Sequence, residues 1–264
     1  PLYLKYDFAV KEMPGKIRVL AETGSIGEQW LNGVPLQMSM MGQPLDHTWQ
    51  ADVSQLIRVG QNEYTVKLNW HQNEQVYYAM FGENVTESLR NCIVYDSELE
   101  PIYLSGDFGV YTDMPFIEAG EYVFGEAFYI AKTPQKVTEP TCEGFPFFRG
   151  ILSVSQNVNF EEGVTHLRLN GTYQSAKVQI NGKLAGTLLF DRVIEIRDFI
   201  KPEENNIQID FIISNRNLLG PHHLEDQSSR QGVNPRSWEL TNEWLKDEKT
   251  GYRKSYELLK LGAK

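Results

Sequence analysis

Apolar and polar residues alternate along most of this chain, in short runs that glycine, proline and asparagine interrupt. The clearest runs cover residues 2–10, 17–21, 64–70, 164–169, 176–180 and 206–213. A period of two places successive side chains on opposite faces of a strand. Turn signals recur about every 8–12 residues, which is typical of β-sandwiches and barrels. A helical turn is expected only near residues 86–92, so the pattern predicts an all-β protein.

One pattern occurs twice. Asn-Gly stands between two apolar-alternating runs at positions 32–33 and again at positions 181–182. This dipeptide is the strongest short-range hairpin signal, because both central residues of the turn need positive φ. Each copy continues into a short polar element and then into a strand opened by asparagine, Asn62 or Asn205. The repeated order predicts two tandem copies of one domain, residues 1–115 and 116–264.

Composition narrows the functional classes. The chain has 264 residues, with 35 acidic and 25 basic side chains and a net charge of −10. Nucleic acid is therefore not an expected partner, since phosphate binding needs a basic surface. No apolar run is long enough to span a membrane, and no signal peptide precedes the first strand. Because the sequence starts at Pro1, we expect it to be part of a longer protein; secreted, cell-surface and cytoplasmic locations stay open.

Several motifs resemble a known group of proteins. The Asn-Gly hairpin with residues 52–56 (DVSQL) and 60–66 (GQNEYTV) resembles the galactose-binding-like jelly rolls attached to large glycoside hydrolases. Such modules occur in family 2-type enzymes and in bacterial α-L-rhamnosidase-like enzymes. Residues 103–110 and 144–150 resemble linking segments in the C-terminal part of the second group, and residues 217–223 resemble a loop of the same modules. The resemblance covers nearly the whole chain and implies two tandem jelly-roll β-sandwich domains of galactose-binding-like type.

The resemblance also implies a division of labour. In such enzymes the hydrolytic carboxylates usually lie on a barrel domain, whereas this sequence contains no alternation of strands and helices. The leading hypothesis is therefore a non-catalytic carbohydrate-binding or accessory module that forms the C-terminal part of a bacterial glycoside hydrolase acting on poly- or oligosaccharides. Its expected partners are carbohydrate and the catalytic domain of the parent chain.

Candidate ligand-binding residues concentrate in the second half. Sugar recognition uses an aromatic platform surrounded by amide, guanidinium and carboxylate groups on loops at a sandwich rim. The polar, aperiodic region after residue 213 offers these groups, as the following residues show: Asn215, Arg216, Asn217, His222, His223, Arg230, Arg236, Trp238 and Trp244. A thinner set in the first half comprises Trp49, Trp70, His71 and Tyr78. In the competing interpretation, Trp238 and Trp244 cover the end of the sandwich or dock against the catalytic domain.

Two other functions and several chemical roles stay open. A hydrolase with its own active site would use Glu225, Asp226 or Glu239, because glycoside hydrolysis needs two carboxyl groups around one bond. A cell-surface domain that recognises protein is the third hypothesis.

Metal and thiol chemistry add little to these hypotheses. The two adjacent histidines after Pro221 fit a structural turn, with a general base or metal ligand as the alternative. No cofactor is expected; calcium is an open alternative for which the sequence names no ligands. The spacing of Cys92 and Cys142 indicates no metal site, and one disulfide is an alternative.

Overall fold

The computed structural model describes residues 1–22, 26–42, 48–97, 102–219 and 255–263. Within these residues the chain forms two compact units. The first contains the described part of residues 1–109 together with Phe128–Thr133, and the second contains Val110–Ala127 and residues 134–219 and 255–263. A single boundary between residues 115 and 116 stays a prediction beside this division.

The first unit is built mainly from strands. Its elements are β1 (Leu2–Val10), β2 (Ile17–Glu22), β3 (Ile26–Leu31), β4 (Val34–Pro35), β5 (Ser39–Met41), β6 (Thr48–Asp52), β7 (Gly60–Leu68), α1 (Glu74–Phe81), α2 (Glu87–Asn91) and β8 (Ile102–Gly106). The strand β9 (Gly109–Tyr111) begins at the last residue of this segment. The later strand β12 (Tyr129–Ala131) joins the sheet by pairing in parallel with β1.

Two sheets form the sandwich of the first unit. One has the order β4-β3-β7-β1-β12, and the other has the order β5-β6-β2-β8. One cluster of buried side chains draws on both sheets, with Val66 and Leu31 from the first and Val19 and Ala51 from the second. Each fully buried aliphatic side chain contributes on the order of 1.5–3 kcal/mol, so this shared core holds the two sheets together.

The second unit is also mainly strands. Its elements are β10 (Ile117–Ala119), β11 (Tyr122–Gly125), β13 (Gly150–Val158), β14 (His166–Arg168), β15 (Gly171–Thr172), β16 (Ser175–Ile180), β17 (Lys183–Leu188), β18 (Val193–Glu195), β19 (Asn205–Ile213), α3 (Arg216–Leu219), β20 (Tyr256–Leu259) and β21 (Gly262–Ala263). The main sheet has the order β13-β19-β16-β17. Smaller sheets are β14-β18, β15-β21 and β10-β11-β20.

The core of the second unit follows the predicted alternation. Val178, Ile180 and Leu169 are buried, as the sequence predicts, and Leu167 packs against the same cluster while partly exposed. Phe211 lies with them, and its ring centroid is 5.2 Å from that of Tyr173. The all-β sandwich predicted from the sequence is confirmed.

The main sheets of the two units have the same order when matched strand by strand. In the first unit β4-β3-β7-β1 run side by side, and in the second β17-β16-β19-β13 do so. Both Asn-Gly turns are present, with positive φ at Asn32 (51°) and Asn181 (53°) and at the glycine that follows each. The duplicated hairpin is therefore confirmed at the level of backbone geometry.

A network of asparagine hydrogen bonds secures each hairpin. In the first unit, Asn32 Nδ2 donates to Leu56 O and to Asn62 Oδ1, both at 2.9 Å. Asn32 Oδ1 accepts from Glu63 N at 3.1 Å. The buried Asn62 in turn accepts from Arg58 N at 3.0 Å and donates to Arg58 O at 2.7 Å. The two side chains thus tie the hairpin turn to the start of β7.

The second unit repeats this network bond for bond. Asn181 Nδ2 donates to Phe199 O at 3.0 Å and to Asn205 Oδ1 at 2.8 Å, and Asn181 Oδ1 accepts from Asn206 N at 3.2 Å. Asn205 Oδ1 accepts from Lys201 N at 2.8 Å, and its Nδ2 donates to Lys201 O at 2.9 Å. The asparagine that opens the second strand of each copy is therefore a buried part of the turn.

The structure adds helices that the alternation does not predict. The predicted helical turn near residues 86–92 is confirmed as α2, which Thr86 caps. The longer helix α1 lies in a stretch without a clear pattern, and α3 lies at the start of the region expected to be aperiodic. No helix among the described residues is long and apolar enough to cross a membrane.

Candidate functional site

The candidate site of the second unit begins where β19 ends. Asn215 is exposed, Arg216 opens α3, and Asn217 is buried. The Asn217 side chain pairs with the backbone of β20: its Nδ2 donates to Leu259 O at 3.0 Å, and its Oδ1 accepts from Leu259 N at 2.9 Å. The amide therefore extends the hydrogen bonding of β20 and fixes the start of the connection that follows β19.

An ion pair holds the same helix. Arg216 Nη2 lies 2.8 Å from Glu257 Oε1, and the Glu257 side chain is mostly buried. Partial burial reduces screening by salt, which makes such a pair stronger than one between fully exposed side chains. The other terminal nitrogen, Arg216 Nη1, is buried without a hydrogen-bond partner. A buried donor without a partner costs about 1–3 kcal/mol, so an acceptor brought to Nη1 would gain a strong hydrogen bond.

The strand β20 is fixed from a further side. Thr141 Oγ1 donates to Leu259 O at 3.1 Å and accepts from Leu261 N at 2.9 Å. The ring of Tyr256 meets that of Phe147 edge to face, with centroids 5.4 Å apart. Thr141 and Phe147 thus hold β20 in addition to Asn217 and Arg216. Thr141 is a positioning residue that the sequence alone did not indicate.

The remaining predicted residues of this site lie outside the described residues. They are His222, His223, Arg230, Arg236, Trp238 and Trp244, together with the carboxylates Glu225, Asp226 and Glu239. Ligand binding by Asn215, Arg216 and Asn217 stays a prediction beside the structural contacts just described.

The thinner aromatic set of the first unit occupies two places. Trp49 lies on β6, while Trp70, His71 and Tyr78 lie on the segment between β7 and β8, all with exposed side chains. The helix α1 adds two exposed aromatic residues to this segment. The signal that reveals them is the four-residue spacing of Tyr77 and Phe81, which puts two rings on one side of a helix.

Metal and thiol chemistry find little support among the described residues. No group of three or more His, Cys, Asp or Glu side chains there could hold a metal ion. Cys92 is exposed and Cys142 is partly buried, and both are free thiols. Burial raises the pKa of the Cys142 thiol, with a further rise from nearby Glu139. The disulfide alternative is therefore wrong for this structure.

Comparisons with known proteins give distant structural neighbours. No protein-family model matches the chain, and no curated protein matches it. Among solved structures it is similar to Streptomyces avermitilis α-L-rhamnosidase complexed with L-rhamnose (TM-score 0.30, 6% identity, 80% of this chain and 21% of that chain). It is also similar to Dictyoglomus thermophilum β-D-mannosidase (0.25, 15%, 81% and 24%) and to a rhamnosidase from Novosphingobium sp. PP1Y (0.25, 16%, 88% and 20%). The chain spans a fifth to a quarter of the length of these proteins.

Proposed function

We propose that this chain is a non-catalytic carbohydrate-binding or accessory part of a glycoside hydrolase, made of two galactose-binding-like jelly-roll domains. The duplicated sandwich and the sequence motifs described above support this proposal. Its partners are poly- or oligosaccharide and the catalytic domain of the parent chain. Neutral saccharides suit a protein whose net charge is −10, because polyanions would be repelled.

One observation carries the ligand-binding part of the proposal. The connection after β19 starts from α3, which Asn217 and Arg216 fasten to β20 through Leu259 and Glu257. Binding residues work best when a rigid scaffold fixes the ends of the loop that bears them. We therefore assign Asn217 a positioning role, and we assign contact with the ligand to the residues that follow.

Those residues have the chemistry that sugars need. Trp238 and Trp244 would offer apolar ring faces to the C–H side of a pyranose, and indole N–H groups as donors. Arg236 with His222 and His223 would supply further donors for ring hydroxyl groups.

Affinity electrophoresis tests this function. The purified chain would migrate through gels that contain soluble galactomannan, arabinoxylan, mixed-linkage glucan or xyloglucan. We expect at least one polysaccharide to retard it, with the dissociation constant raised about tenfold by Trp238→Ala or Trp244→Ala. Phe190→Ala, which removes a 97% exposed ring of the second unit that belongs to neither candidate set, is the matched control and should leave retardation of the chain unchanged.

Two further outcomes are decisive. Repeating the gels with a chelator tests the calcium alternative, because loss of retardation would assign the ion a role. Normal migration through every polysaccharide would refute carbohydrate binding and leave only the accessory role.

A further inference from the structure

In the order of strands, the first unit has a segment that corresponds to the predicted ligand-binding connection of the second unit. In the second unit this connection follows β19, and in the first unit residues 69–97 follow β7. The two strands match, since each carries the buried asparagine of its turn network at or near its start, Asn62 in β7 and Asn205 in β19. The segment after β7 contains α1 and α2, and its side chains are described.

The helix α1 has one buried and one exposed side. Val76 and Ala79 are buried and attach the helix to its unit. Tyr77, Tyr78 and Phe81 are exposed to 52%, 53% and 66%. Residues three or four positions apart lie side by side on a helix, so Phe81 neighbours both tyrosines. Contiguous exposed apolar surface of this kind is typical of binding sites.

Hydrogen bonds close the segment at its base and hold α1 in place. Asn73 caps the helix by accepting from Gln75 N at 2.9 Å and from Val76 N at 3.2 Å. Its own backbone N and its Nδ2 both donate to Asp96 Oδ2 at 2.7 Å. Gln72 Oε1 accepts from Asp96 N at 2.8 Å. The entry and exit of the segment are thus joined, so the aromatic side is held in place before any ligand arrives.

The end of α1 fixes one ring as well. A Cβ added at Gly82 would lie 2.6 Å from Cδ2 and 2.8 Å from Cε2 of Tyr78. Only glycine leaves room for the Tyr78 ring in this position. The ring therefore rests on the backbone that follows the helix, and its orientation is set.

The negative charge of this segment indicates which class of glycan can bind to its aromatic side chains. The segment from Trp70 to Ser97 contains four acidic residues and one arginine. Two of the acidic residues, Glu74 and Glu83, flank the helix at its two ends. Such a surface repels uronic-acid and sulfated glycans, while uncharged sugar rings can pack their C–H faces on the aromatic rings and bond to the tyrosine hydroxyls.

We propose that α1 is a second carbohydrate site, on which Tyr77, Tyr78 and Phe81 stack the uncharged pyranose rings of a polysaccharide chain. This inference rests on the proposed carbohydrate-binding function and adds a site and a ligand class to it. The occupant is neutral polysaccharide; a protein docking on the same rings is the competing outcome of the test.

The test compares aromatic variants of the whole chain in the polysaccharide gels described above, with polygalacturonate as the anionic comparison. Tyr77→Ala/Phe81→Ala should raise the dissociation constant for a neutral polysaccharide about tenfold. Gly82→Ala, whose Cβ would meet both the Tyr78 ring and the Tyr78 carbonyl oxygen at the end of α1, should also weaken binding. Phe190→Ala is the matched control, because that ring is 97% exposed in the second unit, and it should bind like the parent. Polygalacturonate should retard none of the proteins.

Each remaining outcome separates the two claims. If the parent binds and Trp238→Ala abolishes binding while Tyr77→Ala/Phe81→Ala leaves it unchanged, the α1 site is refuted and the proposed function stands. If the parent binds no glycan, the α1 site and carbohydrate binding are both refuted, and what remains is the accessory role, with protein docking as the use of the α1 rings. Thermal melting of each variant shows whether it is folded. The single variant Tyr77→Phe should keep most of the binding that Tyr77→Ala/Phe81→Ala loses, because phenylalanine keeps the ring.

Discussion

Replacing Asn205 by alanine should remove the centre of the turn network in the second unit. The side chain is fully buried. It makes four hydrogen bonds, accepting from Asn181 Nδ2 and Lys201 N at 2.8 Å and donating to Lys201 O and Glu203 O at 2.9 and 2.7 Å. Alanine can adopt the extended backbone of β19 at this position, so the variant removes these four side-chain bonds and keeps the strand.

The expected loss follows from the number of bonds and from what can replace them. Each hydrogen bond contributes a net of about 0.5–1.5 kcal/mol to stability. Lys201 and Glu203 are exposed residues, so water can satisfy their freed backbone groups in part. The Asn181 amide is less accessible; it loses one of its two acceptors and keeps Phe199 O. We therefore expect the free energy of unfolding of the second unit to fall by about 3 kcal/mol.

Hydrogen exchange read by mass spectrometry is the suitable assay. A chain with two compact units need not unfold in one step, whereas exchange reports the opening free energy of each region separately. Peptides from β16 and β19 should lose about 3 kcal/mol of protection in Asn205→Ala, and those from β3 and β7 should not change. Asn62→Ala should show the reverse pattern.

A neighbouring residue supplies the control. Asn206 is exposed, and its side-chain Nδ2 donates to Ser155 and Asn157 on β13, at 3.1 and 2.9 Å. Alanine at this position keeps the backbone bond from Asn206 N to Asn181 Oδ1. Asn206→Ala should cost less than about 1 kcal/mol. Equal effects of Asn205→Ala and Asn206→Ala would refute the reasoning, because burial and bond number would then have no influence on the cost.

Three further outcomes are expected. Asn181→Ala should destabilise the second unit by about 1–3 kcal/mol in the same exchange experiment, and more than Asn181→Gly, since glycine accepts the positive φ and alanine resists it. The hydrogen bond from Ser153 holds the pKa of Asp210 below its ordinary 3.8. The stabilising effect of this bond is therefore complete above pH 3.8 and disappears as the pH falls through the lower pKa of the folded state. In an NMR titration, Ser153→Ala should raise the midpoint of Asp210, and an unchanged midpoint would contradict this origin. With a disulfide reagent at pH 8, the exposed Cys92 should react about tenfold faster than Cys142, whose pKa burial raises, and Cys92→Ser should remove the fast phase.

The regular parts of the fold could be predicted because their causes are local. Alternation over residues 2–10 sets the strand β1 directly, and Asn-Gly at 181–182 sets a hairpin whose φ values few other residues adopt. The predicted run at residues 164–169 forms a strand only over His166–Arg168. Its partner β18 has just three residues, and a strand extends only where a neighbour offers hydrogen bonds.

The helices α1 and α3 could not be predicted from periodicity. Their causes are contacts with distant residues. The helix α1 depends on Asn73, whose capping side chain is held by Asp96 from 23 positions further along the chain. Likewise, Asn217 looks like a free loop amide in the sequence, and only the position of Leu259 shows that the amide is engaged with β20. Residue type predicted a ligand-binding residue there, and the structure adds a contact with β20 that residue type does not indicate.

The two copies show which parts of the domain are fixed by folding and which are free for function. The asparagine networks around Asn62 and Asn205 match bond for bond, because each copy needs a buried side chain that satisfies the backbone of the turn. The connections that follow β7 and β19 differ in their described elements, with α1 and α2 after one and α3 after the other. Among the described residues, the hydrogen bonds of Asn62 and Asn205 go to residues that lie outside these connections. A ligand site in either copy is therefore best sought on these connections, and the aromatic side of α1 is the place in the first copy where binding should be tested.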